Sequence, residues 1–301
     1  MAQPHRTQGP SLLEEAIIAL FCLTDDAYKD LNPNGRRYAS LKRLSDSEVL
    51  ALALFQQLRG VESERSFLRD AARFFPHLFP GVVGLAPSSF HRRVRKLRRF
   101  FEPLRRCVLA DLVGDPETLI ADSTLLSVLH PRQVKQSAEG WGRPSSGAAW
   151  AVWGSFAVYG AKLHLLCSTN RVPLSYELTA ANVADVKLVR ELMEGAGLEE
   201  GTVARRLLGD LAYRSGELGE ELAERGVQLA TEKADRRPAT RQQVEVCFAA
   251  LKRVFGLGET LAKTLAGLVI RVAAKVTAYT YGLYVNRLFG RPQGRIKELW
   301  A

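Results

Sequence analysis

The stretch TLIADSTLLSVL, residues 118 to 129, decides how the rest of the chain is read. Its β-branched and leucine content carries little helical periodicity, so the spacing predicts a strand. Asp122 is out of place there, because an acidic side chain among strand-forming aliphatics is disfavoured. An aspartate capping a turn at a strand end is the plain explanation. A buried functional carboxylate is the other.

Downstream the strand period continues. SFAVYGAKLHLLCST (155–169) and VPLSYELTAAN (172–182) are separated by Asn170 and Arg171, a two-residue turn, so three consecutive antiparallel strands are expected. ADVKLVRELMEGAG (184–197) fits a helix ended by Gly195 and Gly197. RRLLGDLAY (205–213) reads as a fourth strand, GELGEELAERG (216–226) as a second helix and VQLATEK (227–233) as a short fifth strand. A third helix follows, containing RQQVEVCFAALKR (241–253), with Pro238 near its first turn. This order predicts an α/β fold with one mixed five-stranded sheet flanked by helices. Residues 131–154, rich in Gly, Ser and Trp, read as a long excursion between the first two strands. Its Trp141, Trp150 and Trp153 are expected to staple it to the core, with stacking on an unpaired base as the alternative.

Upstream of residue 115 the period is helical. LLEEAIIALFCLTDDAY (12–28), DSEVLALALFQQLRG (46–60) and SERSFLRDAARFF (63–75) each place apolar residues three and four apart. Asp46 and Ser63 are expected N-caps, and Gly60 closes the middle helix. In APSSFHRRVRKLRRFFEPLRR (86–106), Pro87 marks a helix start, and Phe90, Val94 and Leu97 form a narrow apolar stripe. Around it lie Arg92, Arg93, Arg95, Lys96, Arg98 and Arg99, with no acidic residue before Glu102. After short helices joined by tight turns, this resembles a helix-turn-helix module, against the plainer reading of a solvated charged face. Residues 1–115 are thus expected as a helical DNA-binding domain, 116–290 as the α/β domain and 291–301 as a tail.

Charge agrees with a polyanionic partner: 42 Lys and Arg against 32 Asp and Glu leave the 301-residue chain at +10. The four cysteines, Cys22, Cys107, Cys167 and Cys247, are scattered with no C-x-x-C, which supports neither a zinc module nor a disulfide framework and fits a reducing cytoplasm. No export signal is visible, since the first apolar run follows Glu14 and Glu15. The apolar run 264–285 imitates a membrane span, but Arg271 and Lys275 near its middle would each cost roughly 2.5–3.5 kcal/mol in a bilayer. A buried core helix with one basic edge is expected instead.

Three acidic residues therefore stand apart. Asp122 lies within a strand, Asp210 ends the apolar run RLLGD, and Glu245 shares a helical stripe with Arg241, Phe248 and Lys252. For Glu245 the plain reading is an i,i+4 charge pair. Carboxylates gathered from distant elements suit phosphoryl transfer on nucleic acid, where two Mg²⁺ ions about 3.5–4 Å apart clamp the attacking and leaving oxygens. Lys162 and His164 alternate on the second strand, share a face, and are candidate DNA contacts, against a half-exposed strand pair. Asp185 reads as an N-cap, with a fourth carboxylate as the alternative. Tyr213 reads as either a substrate contact or a packing residue.

LIADSTLL, YGAKLHLL, ELTAANVADVKLV, LLGDLAYRS and RQQVEVCFAALKR, in this order over about 170 residues, resemble the catalytic domain of DDE-type transposases of bacterial insertion sequences. The resemblance implies an RNase H-like fold, with Asp122, Asp210 and Glu245 as catalytic residues and ligands of two Mg²⁺ ions, Mn²⁺ being a substitute. One branch of the family carries Y-xx-R-xxx-E-xxxxxx-K. Arg241, Glu245 and Lys252 match its last three positions, which implies that Arg241 and Lys252 contact DNA, whereas Pro238 stands where the tyrosine belongs. The resemblance further implies double-stranded DNA partners (terminal inverted repeats and target), a homodimer or larger assembly on DNA, and a cytoplasmic, nucleoid-associated location without a membrane. Two rivals remain. An aspartyl-phosphate phosphatase with Asp122 as nucleophile would want a second aspartate at position 124, which is Thr. A transposase-derived DNA-binding regulator would bind without cutting.

Overall fold

A computed structural model gives the architecture of the protein and describes residues 11–35, 42–113, 116–134, 140–143, 145–197, 204–231, 238–259 and 261–300. The side chains of Trp153 and Pro238 and the expected boundary near residue 115 lie outside the described residues.

Five helices open the chain: α1 (Leu12–Leu31), α2 (Asp46–Leu58), α3 (Glu64–Phe74), α4 (Pro87–Leu97) and α5 (Phe101–Val113). Ser11 and Ser45 close capping boxes with Glu14 and Glu48, and Ser63 caps α3 through the Ser66 amide. Ser45, not Asp46, is thus the cap of α2. Asp46 is the first helical residue, and its carboxylate is engaged by Tyr28, Lys42 and Arg93. Gly60 closes α2 at φ +64, where a Cβ would lie 2.8 Å from the Val254 carbonyl.

The α/β part runs β1 (Thr118–Leu129), α6 (Pro131–Val134), β2 (Ala149–Trp153), β3 (Phe156–Ser168), β4 (Pro173–Ala180), α7 (Val189–Gly195), β5 (Arg206–Gly209), α8 (Gly216–Glu224), β6 (Gln228–Thr231) and α9 (Pro238–Arg253). Among the described residues the sheet has six strands in the order β2-β3-β1-β5-β6, with β4 also on β3. The β1-β3 and β3-β4 pairs are antiparallel, and β1-β5 and β5-β6 are parallel. The mixed sheet is as expected, and Arg171 in the turn before β4 takes φ +66.

One strand was not expected. β2 pairs Ala149–Trp153 with Gly160–Phe156 of β3, while β4 takes the same edge of β3 from Ala161 onward. Its five residues sit in a Gly- and Ser-rich stretch, and only the unusual length of β3 gives them an edge to pair with.

Strand alternation sends side chains to two separate cores. Ile120, Leu126, Leu163 and Leu165 join Val244 and Leu251 of α9 on one face. Leu119, Ala121 and Leu166 join Val189, Leu192 and Leu207 on the other. After α9 come α10 (Leu265–Leu288) and α11 (Ile296–Trp300). The expected core helix is α10, which packs against α2 and α5, and no described helix is long and apolar enough to cross a membrane. The segment expected as a tail is instead packed: Trp300 is buried, with its ring 6.0 Å from that of Phe55.

Candidate active site

The register of the sheet brings the first two carboxylates together. Parallel pairing of β1 with β5 aligns Ile120 with Leu208, two residues before Asp122 and Asp210 respectively. Both aspartates lie two residues beyond that pair, Asp210 just past the end of β5, and the charge of Asp210 acts on Asp122. That place, outside the carboxyl end of a parallel strand, is where open α/β sheets hold their ligands. Asp210 ends β5 and accepts a hydrogen bond from the Ala212 amide at 2.8 Å. Gly209 must be glycine, because a Cβ there would come 2.8 Å from two carbons of the Tyr213 ring.

Helix α9 supplies the third carboxylate. It crosses the face of β1 that carries Asp122, and Lys252 donates to the hydroxyl of Thr124, which shares that face. Glu245, seven residues earlier, is about 10 Å back along the helix axis. Burial above all pushes the Asp122 carboxyl up to about 6, and the charges of Asp210 and Glu245 add to it. The Ser123 amide and Arg241 act in the opposite sense. The Asp122 carboxyl therefore feels both of the other acids.

The implied Mg²⁺ ions can be tested against these residues. All donors are carboxylate oxygens, which suit a hard cation. Tyr213 is buried, and its hydroxyl has no hydrogen-bond partner among the described residues. Burial, then the charges of Asp185, Asp122 and Asp210, raise its phenol well above the usual tyrosine range. Among the described residues no three His, Cys, Asp or Glu converge on one cation position. The described residues thus show no three-ligand cation position, and the fit to a hard cation rests on the carboxylate chemistry of the donors.

The charge pair that was the plain reading of Glu245 is present: Arg241 Nη2 lies 3.3 Å from Glu245 Oε1. Glu245 is half exposed, so this pair is a weak one. Lys162 and His164 do share a face, but it is the one opposite Asp122. Their partners on β1, Leu125 and Ser123, are odd-numbered, whereas Asp122 is even. His164 is wholly buried, so the expectation that it contacts DNA is corrected. Lys162 Nζ donates to the Val183 carbonyl at 2.8 Å and lies 3.1 Å from Asp185. Asp185 is not an N-cap: Ala184 holds that position, and the Asp185 carboxylate turns to Lys162 and His164 instead. Sequence reasoning missed Ser123, whose amide donates to Asp122 Oδ1 at 2.8 Å.

On α4, Arg92, Arg95 and Lys96 are exposed. Arg99, in the turn after it, is exposed with its guanidinium 4.9 Å from the Phe100 ring centroid. Arg93 differs. It donates to the Leu44 carbonyl at 2.7 Å and pairs with Asp46 at 2.6 Å, so it serves the helical packing.

A family model described as Transposase DDE domain matches residues 114–281, more than half of the 301-residue chain. No curated protein matches the chain. Among solved structures the chain is similar to a piggyBac transposase in a synaptic complex with hairpin DNA, at 12% identity over 94% of this chain and 78% of that chain. The TM-score is 0.43, a likeness too distant to bear on any residue's role.

Proposed function

The chain belongs to the family of transposases with a DDE domain, and from that premise we propose that it is an insertion-sequence transposase with Asp122, Asp210 and Glu245 as its catalytic carboxylates. The observation that carries this is the parallel pairing of β1 with β5, which brings Asp122 and Asp210 to neighbouring strands, with α9 and its Glu245 packed on β1. Two Mg²⁺ ions held by these residues would supply the charge that activates water or a 3′-OH and stabilises the leaving oxygen at the scissile phosphodiester.

The residues around the ions have separable tasks. Asp122 within β1 and Asp210 just past the end of β5 form the fixed wall of the site. Glu245, on a helix and half exposed, would be the third residue to hold the ions, and it pairs with Arg241 at 3.3 Å. Arg241 would hold a DNA phosphate, and Lys252, anchored on Thr124, keeps α9 in register over β1. Hydrolysis at the element end followed by joining of the 3′-OH to target DNA needs no protein nucleophile.

In this reading residues 1–115 recognise the terminal inverted repeats, with Arg92, Arg95, Lys96 and Arg99 on DNA phosphates, and 116–290 perform the chemistry. Two ends must be joined, so the working form is a dimer or larger assembly on DNA. The test is Mg²⁺-dependent nicking of DNA carrying the ends of the element. Asp122→Asn, Asp210→Asn and Glu245→Gln should each bind that DNA as the parent does and fail to nick it. Retained nicking by any one removes it from the catalytic set, and a parent that binds without nicking is a regulator.

A further inference from the structure

Tyr213 has no task in the proposed reaction, yet it closes the turn that holds Asp210. Leu211–Tyr213 forms a single 3₁₀ turn directly after β5, with Asp210 as its cap. Asp210 is tied to this turn twice. Its Oδ1 accepts from the Ala212 amide at 2.8 Å, and its backbone carbonyl accepts from the Tyr213 amide at 3.1 Å. The carboxylate is therefore oriented by the turn. One such turn does not hold itself, because its hydrogen-bond geometry is poor and a lone turn fixes more dihedrals than it gains bonds.

Packing supplies the rest, and it comes through one side chain. Leu211 and Ala212 are exposed, whereas Tyr213 is 1% exposed. Tyr213 clusters with Leu119, Ala121, Leu166 and Leu207, in the core on the face of the sheet away from α9. Its ring also lies against the backbone of Gly209, where a Cβ would stand 2.8 Å from ring carbons Cγ and Cδ2. The ring is thus wedged between that core and the residue before Asp210, and the turn cannot lift without moving it. The hydroxyl adds nothing to this anchor: it is buried and has no hydrogen-bond partner among the described residues.

Resting on the reading of Asp210 as a metal ligand, we propose that Tyr213 is a positioning residue whose ring, and not its hydroxyl, fixes the Asp210 carboxylate for divalent cations. Groups that orient metal ligands typically contribute about 10–100-fold to metal affinity. A core residue that only filled space would alter melting and leave the affinity of the folded protein unchanged.

The experiment is a Mn²⁺ titration of the full chain without DNA, read by electron paramagnetic resonance beside thermal melting. Tyr213→Phe keeps the ring and removes an unpaired buried hydroxyl, so it should bind Mn²⁺ as the parent does and melt no lower. Tyr213→Leu keeps an apolar side chain but loses the plane against Gly209, and the folded variant should bind Mn²⁺ about tenfold or more weakly. Unchanged affinity in folded Tyr213→Leu overturns the proposal, as does a comparable loss in Tyr213→Phe. Should Tyr213→Leu fail to fold, the metal-free parent decides. Its Ala212 amide, followed by hydrogen exchange in a chain carrying isotope-labelled alanine, should be protected although the residue is exposed, and exchange at the rate of an open loop overturns the proposal. Asp210→Asn separates the two readings. If it loses Mn²⁺ while folded Tyr213→Leu keeps it, the positioning role alone falls. If it binds as the parent does, Asp210 is not a ligand, and both readings fall.

Discussion

Asp122 pulls against the stability of the fold it serves. Its carboxyl titrates near 6 in the folded chain against 3.8 ordinarily, because burial, Asp210 and Glu245 all oppose its charge. The folded state therefore binds the proton more tightly than the unfolded state does. The resulting stability is fully present below about pH 4 and is lost as pH rises through 6. A shift of about two units at about 1.4 kcal/mol each sets a ceiling of roughly 3 kcal/mol. Asp122→Asn removes the charge but keeps the shape. It should melt several degrees above the parent at pH 8 without divalent ions, and at the same temperature near pH 3.5, by calorimetry. A lower melting point at pH 8 would mean that Asp122 is not under the repulsion described. Mg²⁺ should stabilise the parent at pH 8 and leave the variant almost unmoved, because binding to the folded state alone raises its stability.

At the scale of the element, α4 shows what a sequence can and cannot disclose. Pro87 at its first position and the buried Phe90 and Leu97 follow directly from pattern and turn chemistry. The division of labour among its arginines does not. Arg92 and Arg93 are neighbours in the same basic run, yet one is exposed and the other reaches Leu44 and Asp46, nearly fifty residues away. The same limit explains Asp185, whose partners lie on another strand, and β2, whose pairing edge exists only because β3 is long. What survived from sequence were the elements with a strong local period. What did not were contacts set by tertiary pairing. Binding to the element's ends, measured against salt, checks the division. Arg92→Ala, Arg95→Ala and Lys96→Ala should each lower the slope of log K on log salt by about one and leave melting unchanged. Arg93→Ala should instead lower stability by about 1–3 kcal/mol, the worth of charge-assisted hydrogen bonds, with the slope intact.

Across the whole molecule, the change of period near residue 115 does not separate the apolar core. Ala16 of α1, Leu50 of α2, Phe101 of α5, Leu163 of β3, Leu251 of α9 and Trp300 of α11 belong to one cluster, so helices from both ends of the chain enclose one face of the sheet. One buried ion pair joins these parts. Glu62, between α2 and α3, pairs with Lys275 of α10 and lies 3.3 Å from Arg271, while Lys275 also donates to the Phe255 carbonyl just beyond α9. The side chain of Lys275 is 1% exposed, and burial lowers its pKa against the pull of Glu62. Glu62→Ala leaves that ammonium buried with its counter-charge gone, which costs about 3–5 kcal/mol in comparable cases. The sign of the pH dependence then identifies the cause. A lysine that titrates lower in the folded chain than in the unfolded one gives stability that grows as pH rises toward the unfolded value near 10. The deficit of Glu62→Ala in urea denaturation should therefore shrink between pH 7 and pH 9.5. A further Lys275→Met should recover most of it at pH 7, since an apolar replacement of a buried pair is often neutral. A deficit that is flat with pH, and that Lys275→Met leaves unrelieved, would show that Glu62 acts through the local turn at Gly256, where its carboxylate fills the space a Cβ would need.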